Sequence, residues 1–268
     1  MPFIETGDRS NLCYKDWGTG KPVVFIHGSP LSCLMWEYQI TYLADRGVRC
    51  IAYDRRGHGR SSHNWRGYDY DTLADDLAAV IDQLDLREVT LVGYSMGGGE
   101  VVRYLSRHGA DRITRLVLLA ATAPFMLKTV DNPDGVEKSV LDQVRAAQSK
   151  DFPKWLGDNL RPFFLPNTSP EMMHWISSLC LQTSLKAVMD CYRAATETDF
   201  RQEMSAITVP TLIIHGDADA SAPLELTGGK SAQLILGSQL RVYEGAPHGL
   251  FITHMDRLNK DLLAFIRD

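Results

Sequence analysis

Six short runs of buried-strand type, separated by amphipathic helical segments, limit what this chain can become. They are PVVFIH (22–27), RCIAYD (49–54), VTLVGY (89–94), ITRLVLLA (113–120), PTLIIHG (210–216) and LRVYEG (240–245). Near-continuous apolar runs of this length belong to strands covered on both faces, and their alternation with helices implies an α/β fold with a mostly parallel central sheet flanked by helices. The helical segments agree. In YDTLADDLAAVIDQLDL (70–86), Leu73, Leu77, Val80, Ile81 and Leu84 recur at helical intervals with carboxylates opposite, and DRLNKDLLAFI (256–266) repeats the device. The opening ETGDRSNLCYKDWGTG (5–20) reads instead as an antiparallel strand pair with Gly/Asp turns at the sheet edge.

One stretch breaks the alternation. Residues 126–205 contain helical pieces, five prolines and no convincing strand, and hold five of the nine methionines together with Phe152, Trp155, Phe163, Phe164 and Trp175. The chain therefore divides into a core domain, 1–125 and 206–268, and a helical cap, 126–205, inserted between two sheet strands. Most of those side chains serve the segment's own packing; the same set also offers an adaptable apolar wall over a site.

Composition excludes several classes. At 268 residues the chain holds one large domain, and a formal net charge of −5 without a basic block speaks against nucleic acid. MPFIETGDRS has no basic region leading into an apolar core, so no signal peptide is expected, and the longest apolar stretch, LVLLAATAPFM (116–126), is too short to cross a bilayer. Five cysteines (13, 33, 50, 180, 191) without metal-like spacing fit a reduced, cytoplasmic setting better than a disulfide framework, and no metal site or cofactor is expected. The oligomeric state is left open.

The joint between VTLVGY and the helical pattern after it is Gly93-Tyr94-Ser95-Met96-Gly97, a G-x-S-x-G pattern between a strand and a helix. Such a turn is so tight that the serine takes a strained conformation and no side chain fits two positions away on either side. The strain lifts the hydroxyl out at the carboxyl edge of the sheet, where the next helix aims its N-terminal amides. The plainer alternative is a serine that caps the helix after a glycine turn.

A nucleophilic serine needs a base, and the base an orienting group. Of eight histidines, His248 in GAPHG follows the last strand and precedes the last helix, on a loop at the same sheet edge. His63, His108 and His254 read as solvated loop residues, and His27 and His215 as strand-closing residues bonded to nearby backbone. In HGDADASAP (215–223) two acids leave the correct end of a strand. Asp219 is favoured because two further residues carry it toward the His248 loop; Asp217 is the alternative, read as a turn-former that caps local amides. An oxyanion hole needs two backbone N–H groups. Met96 supplies one, and Ser29, in the turn FIHGSP (25–30) before a Pro30 that allows a cis bond, the other; whether the Ser29 hydroxyl adds a donor is open.

HGSP (27–30), YDRRGHGRS (53–61), GYSMGGGE (93–100), HGDAD (215–219) and GAPHGL (245–250) occur in an order that resembles the α/β-hydrolase superfamily over nearly the whole chain. DRRGHGRSS, SMGGGEVVRY, ETDF (197–200) and APHGL…LNKDLLAF are similar to its branch of cofactor-free haloperoxidases, also described as perhydrolases, aryl esterases, γ-lactamases and lactonases. The resemblance implies Ser95, Asp219 and His248 as a catalytic triad and the Ser29 and Met96 amides as the oxyanion hole. The chain departs from that branch in two places. Ser29 stands where relatives often carry a bulky aromatic, and Ala220, Ser221 and Ala222 where they often carry branched aliphatics. Both changes shrink side chains and imply a roomier pocket, for which Phe125, Trp155, Phe163, Ser221, Ala222 and Leu250 are candidate lining residues. The expected reaction is acyl transfer from small-molecule carboxylic esters and lactones, acyl-homoserine lactones among them, with perhydrolysis as a side activity; the alternatives are a short-chain aryl esterase and a non-hydrolytic ligand-binding member.

Overall fold

The computed structural model describes residues 1–268. Eight strands, β1 (Phe3–Glu5), β2 (Asn11–Trp17), β3 (Pro22–Ile26), β4 (Arg49–Tyr53), β5 (Val89–Tyr94), β6 (Ile113–Leu119), β7 (Thr211–Gly216) and β8 (Gln239–Tyr243), form one sheet in the order β1-β2-β4-β3-β5-β6-β7-β8. β1 and β2 run antiparallel to their neighbours and all other pairs are parallel. The helices are α1 (Glu37–Ala44), α2 (Tyr70–Gln83), α3 (Met96–His108), α4 (Lys138–Lys150), α5 (Phe152–Leu160), α6 (Pro170–Cys180), α7 (Leu185–Glu197), α8 (Arg201–Ser205), α9 (Gly228–Leu234), α10 (Leu250–Thr253) and α11 (Met255–Arg267).

All six strands expected from the sequence form, with ends that agree to within a residue or two, but β8 is not the buried strand expected of LRVYEG: it closes the edge of the sheet, and Leu240 and Val242 are exposed there. The edge pair starts earlier than expected, at Phe3, because the turn between its strands is built at Thr6–Ser10. There Asp8 Oδ1 accepts from the Thr6 and Ser10 hydroxyls at 2.6 and 2.7 Å. Helix α2 begins after Asp69, whose carboxylate accepts from Thr72 N–H at 3.0 Å, and stops at Gln83, ahead of Asp85 in the left-handed region at φ 41°.

Alternation along the strands divides the core in two. Val24, Ile26, Leu91, Leu116 and Leu118 pack with α2 and α3 residues such as Leu73, Leu77 and Val101. Val23, Phe25, Val92, Val117 and Leu119 pack on the other face with Ile40, Leu43, Leu258 and Leu262 of α1 and α11. Five helices, α4 to α8, lie between β6 and β7. Ala187 and Cys191 of α7 join the first core, and Leu156, Ile176 and Leu179 of α5 and α6 join the second. The last of the five, α8, packs on α3 and α9 beside the sheet, so the inserted segment returns to the core layer before it ends. All five cysteines are buried and unpaired, and no helix is long and apolar enough to cross a membrane.

Candidate active site

The strand order reverses beside β3: the chain goes from β3 outward to β4 on one side and to β5 on the other. Such a switch point opens a crevice at the carboxyl ends of the two central strands. The turn after β5 carries Ser95, and the turn after β3 carries His27, Gly28 and Ser29.

Ser95 sits at φ 53° and ψ −121°, in the strained region that the turn demands. The flanking glycines are required by close approach. A Cβ on Gly93 would stand 2.5 Å from the Gly97 carbonyl oxygen, and one on Gly97 would stand 2.6 Å from that of Ile26. The Ser95 side chain makes no capping bond to α3, against the plainer alternative. Its Oγ lies 2.9 Å from His248 Nε2, and His248 Nδ1 lies 2.6 Å from Asp219 Oδ2. All three residues are buried.

Asp219 is oriented from several sides. Its Oδ1 accepts from the Ser221 and Ala222 amides at 2.9 and 2.8 Å, while Oδ2 faces His248 and, at 3.5 Å, His215 Nε2. Burial pushes the carboxyl up, but the His248 ring, the Ala222 amide and His215 together outweigh it and hold Asp219 below its usual range. Asp217 points elsewhere. Its Oδ1 accepts from Gly245 N–H at 2.6 Å, so it pins the far loop leading to His248, where local amides were expected as its partners.

The Met96 and Ser29 amides are taken up by no hydrogen bond inside the protein. The Ser29–Pro30 bond is cis. The Ser29 hydroxyl lies 3.0 Å from His58 Nε2. Beneath this turn is a fully buried ion pair. Arg55 donates to Glu100 Oε2 at 2.7 Å and to the His27 carbonyl at 2.6 Å, while its own amide donates to His27 Nε2 at 2.9 Å. Glu100 lies on α3, so the pair ties the turn after β3 to the helix that follows Ser95.

The candidate lining residues scatter. Phe163 stands against His248, with ring centroids 5.5 Å apart, and its carbonyl accepts from Gly249 N–H at 3.0 Å. Ser221 and Ala222 act through their amides on Asp219; the Ser221 side chain is exposed and Ala222 is fully buried. Leu250 is buried in the second core, against which the partly buried Trp155 also packs, its ring stacked on Phe152 at 6.2 Å. Phe125 lies under the Arg201 guanidinium, 5.3 Å away. His27 and His215 bond nearby carbonyls as expected, those of Gly28 and Ala222. His108 instead ends α3 and bonds Asp75.

Two contributors went unrecognised in the sequence. Tyr94 donates through its hydroxyl to the His248 carbonyl at 3.0 Å, with its ring 5.1 Å from the imidazole. Its place at the end of the run VTLVGY, directly before Ser95, was the available signal. His58 stands in the quoted run YDRRGHGRS, but nothing in that run points to its partner Ser29, which lies on a different turn.

Residues 21–255 match the family model described as alpha/beta hydrolase fold. The chain is 42% identical to a non-heme chloroperoxidase of Kitasatospora aureofaciens, over 99% of both chains. It is 40% identical to a bifunctional esterase/perhydrolase of Acinetobacter calcoaceticus, over 100% of both. Among solved structures, the bromoperoxidase from Bacillus anthracis superposes with a TM-score of 0.96 at 40% identity, covering 99% of each chain. The chain belongs to the α/β-hydrolase superfamily, in the branch of non-heme haloperoxidases and related esterases.

Proposed function

We propose that this protein is a serine hydrolase that cleaves carboxylic esters, lactones among them, through an acyl-enzyme on Ser95. The observation that carries this reading is the unbroken chain Asp219 Oδ2–His248–Ser95 Oγ, with contacts of 2.6 and 2.9 Å, at a turn that strains the serine. His248 takes the Ser95 proton as Oγ attacks the carbonyl carbon, and the free Ser29 and Met96 amides hold the resulting oxyanion. His248 then protonates the leaving alkoxide. Water, deprotonated by the same ring, releases the carboxylic acid and restores Ser95. Asp219 fixes the tautomer and stabilises the cation that His248 becomes.

The segment 126–205 acts as the cap, with Phe163 its nearest contact to the base. A cap rich in Met, Phe and Trp supplies an apolar wall for an acyl tail. Each buried methylene then adds about 0.8 kcal/mol, or roughly fourfold in kcat/KM, while the pocket lasts. The similarity to an esterase/perhydrolase favours a second outcome for the same intermediate: hydrogen peroxide replaces water and leaves as a peracid, which oxidises halide to hypohalite and returns to the carboxylic acid.

A fluorophosphonate probe tests the nucleophile directly: labelling at Ser95 is expected, and an inert Ser95 would leave a ligand-binding member of the fold. For the substrate, kcat/KM is measured for linear esters and lactones from acetyl to dodecanoyl. A steep fall beyond acetyl with lactones untouched would reduce the protein to a short-chain esterase. Peracid from acetate and peroxide checks the side reaction.

A further inference from the structure

A second serine–histidine pair stands beside Ser95 and is not used by the mechanism above. It lies one residue past Gly28, where an added Cβ would come within 2.9 Å of the Ser95 Cβ. His58 is completely buried, and its Nδ1 lies 2.9 Å from the Arg56 carbonyl oxygen. A carbonyl only accepts, so Nδ1 carries the proton and Nε2 is left with a lone pair. Ser29 Oγ, 3.0 Å from that lone pair, must therefore donate. Burial and the Arg55 guanidinium push the His58 cation down to about 3, outweighing the Arg56 carbonyl, so the ring stays neutral in ordinary buffers.

The direction of this bond has two consequences. The hydroxyl hydrogen of Ser29 points to His58, so it is not aimed at an oxyanion as a third donor. The side chain is also anchored to a rigid neighbour, because the loop carrying His58 is tied to the turn after β3 through Arg55 and His27. Residues on both sides of Ser29 are held as well. The Pro30 carbonyl accepts from Thr183 Oγ1 at 2.6 Å, and Leu31 N–H donates to the Gly28 carbonyl at 2.9 Å. An amide is aimed only as well as its own residue is fixed, and Ser29 is fixed through its hydroxyl.

We infer that His58 is a positioning residue: by accepting the Ser29 hydroxyl it aims the Ser29 amide at the oxyanion of the reaction. The inference rests on the ester-hydrolase reading and deepens it. A structural role alone would change stability; a positioning role changes how well the carbonyl oxygen is held in the transition state.

The test compares Ser29→Ala, His58→Phe and the double variant with an ester and its thionoester, whose sulfur is a poor hydrogen-bond acceptor. Each single variant is expected to lower kcat for the ester about 10-fold, leave KM within about twofold, and shrink the ester-to-thionoester rate ratio. The double variant loses no more than the worse single, because both remove one bond. Wild-type kcat and rate ratio in Ser29→Ala would overturn the inference, as would losses that multiply in the double variant or appear in KM alone. Should His58→Phe fail to fold, Ser29→Ala, which keeps the amide, decides by itself. Fluorophosphonate labelling of the wild type separates the two readings. An unlabelled Ser95 removes the hydrolase, whereas a labelled Ser95 with unchanged Ser29→Ala kinetics removes only the role of His58.

Discussion

Ser95 with His248 and Ser29 with His58 use the same two residue types at nearly the same hydrogen-bond length, 2.9 and 3.0 Å, yet their surroundings are opposite. Behind His248 stands the Asp219 carboxylate, an acceptor for its Nδ1–H. Behind His58 stand a neutral carbonyl and, nearby, the Arg55 guanidinium, which refuses the ring a second proton. The first serine is strained at φ 53° and presents its oxygen to the crevice; the second surrenders its hydrogen to hold its own backbone. What the imidazole's other nitrogen faces, more than the serine–histidine contact itself, decides whether a pair does chemistry or architecture.

The comparison breaks most sharply at the nucleophile. Ser95→Ala should fold normally and lose roughly 10⁴-fold or more in kcat, against the roughly 10-fold expected at Ser29. Steady-state ester hydrolysis with purified protein measures both, and retention of most activity in Ser95→Ala would place the chemistry elsewhere. His248→Ala should match the Ser95 variant, since serine without a base is a weak nucleophile at neutral pH.

Next comes the carboxylate that distinguishes the two histidines. Asp219→Asn should cost about 10³–10⁴-fold in kcat, because an amide no longer selects the reactive tautomer or balances its charge. If activity instead collapsed in Asp217→Asn and survived in Asp219→Asn, the two acids would have to exchange roles.

A smaller effect lies in acid stability. His58 titrates near 6.5 when unfolded and at about 3 when folded, so between these values the unfolded chain binds the extra proton. Its contribution to stability is therefore complete above pH 6.5 and falls as the pH is lowered toward 3, by up to about 1.4 kcal/mol per pH unit. Burial lowers His27 and His215 as well, and both act in the same direction. Calorimetric Tm values across this range should fall less steeply for His58→Phe than for the wild type; parallel curves would mean that His58 is charged in the fold. Smallest is Asp217→Asn, which keeps an oxygen for Gly245 N–H and should change stability by less than about 1 kcal/mol in a denaturant titration.

Local pattern determined much of this protein before any tertiary contact was known. Strands β3 to β7 follow from apolar runs, α2 and α11 from helical spacing, and the Ser95 turn from glycines two residues away on each side, because each is a property of neighbours along the chain; that β8 lies exposed at the sheet edge was set by strand order. Ser95, Asp219 and His248 were legible for the same reason: each sits just past a recognisable strand, and a parallel sheet collects such ends along one edge. What the neighbours of those residues do was decided only in three dimensions. The Tyr94 hydroxyl reaches the carbonyl of His248, Asp217 reaches Gly245, Phe163 of the inserted segment stands against the His248 ring, and Ser29 meets His58 across two turns. These partners share no period or spacing. Their meeting depends on strand order and on the direction in which each side chain leaves its element, and both are set by packing of the whole chain.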